Sequence, residues 1–193
     1  MKLVERVKNI LMQPKSEWAV IENEQTDTKM LYTRYIAILA IIPVAATFLS
    51  LFGGRIGMGL VLGAIVIQYV LSLVMVYAVA YIAEILAPNF DGNRDSSGAL
   101  RLTAYAMTAS WVAGVLAIVP FLGWLLSFLG SLYSIYLFFL GAPVLMKVPE
   151  SKAVPYSILV MVAAIVLGII IGFIATAIMG FGVAGTMMRP KDF

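Results

Sequence analysis

The 193-residue chain has no cysteine and no histidine. Without cysteine there is no disulfide, no thiol nucleophile and no thiolate metal site. Without histidine the commonest general base and the commonest transition-metal ligand are gone too. Charge is scarce: Asp, Glu, Lys and Arg make up 12% of the residues, about half the share in a soluble domain. Decamers that alternate apolar with polar residues are missing, which argues against a transmembrane barrel. Gly-rich phosphate loops and nucleophile elbows are missing as well; Gly53-Gly54 and Gly98 belong to turns. The basic residues are too few, and too mixed with acids, for a nucleic-acid surface. No cofactor, metal ligand or catalytic residue is assigned, and the chain reads as a non-enzyme.

What is present is apolar. Hydrophobic residues reach 62%, gathered in long runs between short polar breaks, and this specifies an all-α membrane protein built as one helical bundle. Residues 1–34 form the only extended polar region. Leu3, Val4, Val7, Ile10 and Leu11 recur at helical spacing, with Lys2, Glu5, Arg6, Lys8 and Asn9 on the other side. Gln13-Pro14 interrupts this amphipathic helix, and a second short one carries Trp18 and Ile21. The segment either lies in the headgroup layer, meets a partner, or packs under its own bundle.

Five spans follow, at about 35–52, 58–85, 100–119, 124–146 and 156–181, each near or above the ~20 residues needed to cross the hydrocarbon. Pro43 should kink the first. Turn formers fill 87–98, and 120–123 is a tight hairpin between the third and fourth spans. Residues 123–153 take a helix out of the bilayer core, bend it at Gly141 to Pro143, and stop it in a charged loop at 147–155. Residues 182–193 form a tail. With five spans, Lys2, Arg6, Lys8, Lys15, Lys29, Arg34, Arg94, Arg101, Lys147 and Lys152 share one side, against Arg55, Arg189 and Lys191 on the other. The positive-inside rule puts the N-terminus in the cytoplasm and the C-terminus outside it.

Glu84 is the only acid inside a predicted span, and ionisable residues there are candidates for function. Tyr77, Tyr81 and Glu84 share one helix face, and Tyr105, Tyr133 and Tyr136 reach comparable depths. A polar cluster around Glu84 is expected, to bind a headgroup or cation or to relay protons; the plainer alternative is a snorkelling carboxylate at a helix end. Ala164, Gly168, Gly172, Thr176 and Gly180 put small residues every fourth position, as Gly59 and Gly63 do. Such faces seat either a second copy or a neighbour within one bundle. Ser127, Ser131 and Ser134 form a weakly polar stripe. Asp91 and Asp95 hint at a cation loop, but the calcium-loop spacing and closing glutamate are missing.

Pro14-Lys-Ser-Glu17-Trp18, Ile21, Glu24, Tyr32 to Tyr35 and Pro43 form one set of blocks. Leu102-Thr-Ala-Tyr105-Ala-Met-Thr108, Tyr133-Ser-Ile-Tyr136, Leu140-Gly141-Ala-Pro143, Val148-Pro149 and Lys152-Ala153 form another. In order and spacing they resemble the bacterial branch of the Yip family, the Ypt/Rab-interacting integral membrane proteins, over about residues 3–175. The resemblance implies five spans and a cytoplasmic N-terminus. It makes Pro14, Trp18, Pro43, Gly141, Pro143 and Pro149 motif positions. The family often has proline soon after the Tyr-Ala segment, where this chain has Ala109, so the third helix is expected to run straighter. Eukaryotic relatives bind prenylated Rab-type GTPases and act in vesicle traffic. This chain lacks their long N-terminal region, so a bacterial inner membrane fits better, and the trafficking role does not carry over.

Two functions remain. One is a scaffold or adaptor whose partners are membrane lipids, a second copy of itself, or a membrane or cytoplasmic protein. The other is a small ion or solute transporter with its site near Glu84. A membrane enzyme stands well behind both.

Overall fold

A computed structural model describes residues 2–24, 26–51, 58–119 and 121–187, apart from the side chains of 50, 51, 117 and 178–187. The expected Gly53-Gly54-Arg55 turn and the tail cations Arg189 and Lys191 lie outside the described residues. Helices α1 (Leu3–Met12) and α2 (Pro14–Asn23) meet at Gln13. Pro14 opens α2, where its missing N–H has no intrahelical partner to lose. A single turn, α3 (Thr28–Leu31), passes through a π turn at Tyr32–Ile36 into α4 (Ala37–Leu51), which stays helical through Pro43.

Helix α5 (Met58–Leu86) closes in a 3-10 turn, Ala87–Phe90. Asp91 then turns left-handed at φ 59°, and Gly92 donates its N–H to Ala87 over 2.9 Å. Asp95 caps α6 (Ser96–Ala106), accepting the Ser97 N–H at 3.0 Å. Helix α7 (Thr108–Ala113) and a 3-10 stretch, Gly114–Ile118, follow. Helices α8 (Gly123–Leu145) and α9 (Glu150–Met187) complete the bundle, and no strand occurs among the described residues.

Four helical segments are long and apolar enough to cross a membrane: Thr28–Leu49, Met58–Phe90, Gly123–Leu145 and Glu150–Ala177. The expected third span, 100–119, does not form a fifth helix of that kind. It is split at Met107 and tightens to 3-10 after Ala113, so it is not straighter despite the absent proline. The cause is cross-helix bonding. Ser110 donates its backbone N–H to the Ser134 hydroxyl at 2.9 Å, and Thr108 is tied to the Tyr35 hydroxyl at 2.6 Å. The Ser110 bond takes a backbone donor out of the helix's own ladder, while the hydroxyl pair of Thr108 and Tyr35 ties the break to the π turn before α4.

This broken helix is nevertheless the centre of the molecule. From Gly98 to Ala106 nearly every α6 residue is buried, with α5 and α8 on its flanks and α2 across it. The close approaches leave no room for side chains. A Cβ on Gly130 would lie 2.2 Å from that of Ala113, and one on Gly114 would lie 2.8 Å from that of Pro43.

Two further boundaries move. The loop expected at 147–155 is confined to a few residues around Lys147, because α9 starts at Glu150 and runs through Pro155. The carbonyl that Pro155 leaves unbonded is that of Ser151, in an exposed first turn. At the far end α9 continues past the expected limit of 181 to Met187.

Candidate functional site

The polar chemistry of the molecule gathers at one end of the bundle, where α5 and α8 finish and α6 and α9 begin. The N-terminal helices close this end. Trp18 is fully buried, its ring edge seated where Gly141 has no side chain: a Cβ there would stand 2.7 Å from the indole and 2.6 Å from Leu102. Two motif positions far apart in sequence thus form one contact. Tyr105 meets Trp18 edge-on at 6.4 Å and Tyr35 at 4.7 Å, in the T-shaped geometry that aromatic quadrupoles favour.

Arg6 enters the same space. Its guanidinium sits 5.4 Å over the Tyr105 ring and forms ion pairs with Glu17 and Glu24. Arg6 and Glu17 are both buried. This corrects the expected facing of α1: Arg6 points inward, whereas Val4, assigned to the apolar face, is 77% exposed. A charge can leave water here because two carboxylates and an aromatic face replace its hydration.

Outer contacts fasten the helix pair. Arg101 donates from Nη1 to the carbonyls of Ile21 and Glu24, each at 2.9 Å, and so caps the end of α2. Lys147, at φ 56°, pairs with Glu22. The Tyr133 hydroxyl donates to the carbonyl of Leu11 at 2.8 Å. Behind them, Asn93 donates its N–H to Met146 at 2.7 Å, Lys152 pairs with Asp91, and the buried Tyr156 donates to Ala83 at 2.8 Å. Asp91 and Asp95 are therefore a lysine partner and a helix cap.

The five tyrosines expected around Glu84 do not converge on it. Glu84 pairs with Arg94 at 3.0 Å and bonds Ser96, with its side chain 12% exposed. Tyr105 belongs to the Trp18 cluster. Tyr77 and Tyr81 point away from the core, 61% and 51% exposed, and Tyr136 is also exposed beside Tyr133, ring centroids 5.6 Å apart. Outward-facing tyrosines at one level of a bundle form an aromatic belt, because the ring is apolar and the hydroxyl seeks water.

On the α9 face, Gly168, Gly172 and Thr176 are exposed and Ala164 is half-buried. A Cβ on Gly172 would meet nothing within 4 Å, nor would one on Gly59 or Gly63. Gly59, Gly63 and Gly172 thus face open space, whereas Ala164 packs against the core and a Cβ on Gly168 would lie 3.8 Å from Met75. Of the serine stripe, Ser134 holds Ser110, while Ser131 bonds back to Ser127 in its own helix.

Pro43 packs on Gly114, and Pro143 lies inside α8 two residues beyond Gly141, with the helix continuing to Leu145. Pro149 precedes α9 and accepts the Lys152 N–H at 2.8 Å. Sequence reasoning missed Arg6 and Arg101 as structural residues. The one local signal for Arg6 was an arginine breaking the outer face of a helix whose apolar face also contained Val4.

No curated protein and no solved structure matches the chain. The Yip1 domain does, over residues 8–172. That stretch takes in Trp18, Tyr105 and Gly141, the residues that join the N-terminal helices to the bundle, and the chain belongs to the Yip1 domain family.

Proposed function

We propose that this protein is a non-enzymatic scaffold or adaptor of a bacterial inner membrane, crossing it five times with its N-terminus in the cytoplasm. In this reading the broken helix, residues 96–118, is the remaining span. Its ~23 residues at about 1.5 Å each reach across ~30 Å of hydrocarbon, and its break at Met107 is acceptable there because protein encloses residues 102–114. The observation that carries the proposal is the closed end of the bundle. Trp18, Arg6, Glu17 and Tyr105 fill the space with mutual contacts and leave α1 presenting Val4 and Met12 outward, beside Lys8.

Apolar side chains among lysines suit a helix lying at the headgroup layer, and the tyrosines at 77, 81, 133 and 136 suit the same level. Lipid and a membrane or cytoplasmic protein are the partners this surface fits. A second copy on the Gly168–Gly172 face is a further possibility that this reading accommodates. The transporter reading is not favoured, since Glu84 already has Arg94 and Ser96 as partners.

Two measurements test the proposal. Reporters fused after Phe193 should face away from the cytosol; a cytosolic signal breaks the five-span topology. Photo-crosslinkers placed at Val4 and Met12 in native membranes should label lipid or one recurring protein, while ion or solute flux from proteoliposomes would defeat the scaffold role.

A further inference from the structure

Beside the Arg6 ion pairs lies a cavity of about 360 Å³, bounded by α1, Glu24, Thr26, α3 with its π turn, and α6. Its walls carry charge of both signs. Arg34 lines it, is exposed, and makes no ion pair among the described residues. Glu24 lines it as well. One of its carboxylate oxygens holds Arg6; the other has no hydrogen-bond partner among the described residues, and the side chain is 35% exposed. Tyr105 also lines the cavity, and Leu3, Met30 and Leu31 add apolar lining.

The setting narrows the ligand. Arg34 lies near the start of the candidate span Thr28–Leu49, two residues after Tyr32, whose hydroxyl bonds Leu73 at 3.3 Å, one turn from the outward-facing Tyr77. An exposed arginine at the headgroup level meets lipid phosphate, which suits its planar fork. An anion alone would face the Glu24 carboxylate, however, and a cation alone would face Arg34. A phosphate with a primary ammonium a short tether away satisfies both walls. The apolar side then accounts for an acyl chain.

We propose that this cavity binds the headgroup of an aminophospholipid, its phosphate on Arg34 and its ammonium on Glu24, with the chains leaving past Leu3 and Met30. The inference rests on the membrane-spanning reading above. It assigns the N-terminal helices a lipid species to recognise, and it makes Glu24 serve both the Arg6 ion pair and the ligand.

The test uses the full chain in phosphatidylcholine bilayers doped with equal amounts of phosphatidylethanolamine and phosphatidylglycerol, with retained lipids counted by native mass spectrometry. Phosphatidylethanolamine should be enriched about tenfold over phosphatidylcholine, the size of one charge-assisted hydrogen bond that a trimethylammonium cannot donate. It should also exceed phosphatidylglycerol. Arg34→Gln, which removes the anchor of the phosphate common to all three lipids, should sharply lower the number of lipids retained. Because Arg34 makes no ion pair in the described residues, this variant should keep the wild-type melting curve. Glu24→Gln should level ethanolamine with choline; as it also loosens Arg6, its folding is checked by circular dichroism.

Equal retention of phosphatidylglycerol, or a number of retained lipids untouched by Arg34→Gln, would overturn the proposal. Displacement of the lipid by free phosphoethanolamine at matching concentration would overturn the lipid as the source of the headgroup. The C-terminal topology reporter tests the five-span reading separately, so either can fail while the other stands.

Discussion

The two ends of this bundle are built on different physics. At the end that holds α1 and α2, packing is tight enough that Gly92, Gly98 and Gly141 have no space for a methyl group, and four ion-paired regions tie loops to helices. Toward the other end close packing is confined to the broken helix, where Gly114 and Gly130 meet Pro43 and Ala113, while α5 and α9 present Val66, Val70, Ile165, Ile169 and Phe173 outward and a Cβ on Gly59 or Gly63 would touch nothing. Apolar surface is stable in lipid without protein partners, so α5 and α9 need only length and hydropathy there. The first has to place charges and indole rings where water is scarce, and that demands particular neighbours.

The sharpest way to break this contrast is at the Trp18–Gly141 contact. Trp18→Ala should cost about 3–5 kcal/mol, and Gly141→Val should prevent α2 from docking, seen as lost protection of α1 and α2 in hydrogen exchange. A Gly141→Val protein with wild-type protection would mean the contact does not organise this end. Next comes Arg6→Met, which leaves Glu17 uncompensated in a buried site and should cost about 3–5 kcal/mol. A partial return of stability when Glu17→Leu is added would show that the stranded carboxylate, rather than lost packing, was the cause.

Smaller effects sharpen the picture. Tyr35→Phe removes the bond to Thr108 across the broken helix and should lower stability by about 1 kcal/mol in a thermal melt. Glu84→Gln removes a pair whose arginine is 62% exposed, worth about 0–1 kcal/mol; a larger loss would restore Glu84 as a site. Gly172→Leu should leave the monomer's melting unchanged to within about 0.5 kcal/mol. If it nonetheless shifts the oligomer distribution in detergent, the small-residue face seats a second copy.

The site was legible in part. Trp18, Gly141 and Tyr105 stood out from their motif blocks, and the structure joins them. Glu84 stood out by its isolation in an apolar run, yet its partner Arg94 comes from the next loop, and the tyrosines grouped with it by depth turn outward or inward according to helix rotation. Depth can be counted along a sequence, whereas rotation about a helix with little amphipathicity cannot. Arg6 was misplaced for a related reason: α1 has polar and apolar residues near both edges of its face, and only the carboxylates of α2 decide which edge is inside.

By itself the sequence determined an all-helical chain with apolar segments of bilayer length, the opening of α2 at Pro14, and the absence of thiol and imidazole chemistry. Those follow from local properties: hydropathy, backbone permissiveness and side-chain type. Tertiary structure decided that α1 and α2 fold onto the bundle, that residues 96–118 break at Met107, and that Arg6 is buried. Each of these depends on a bond or a void supplied by a residue distant in the chain, which no local pattern encodes.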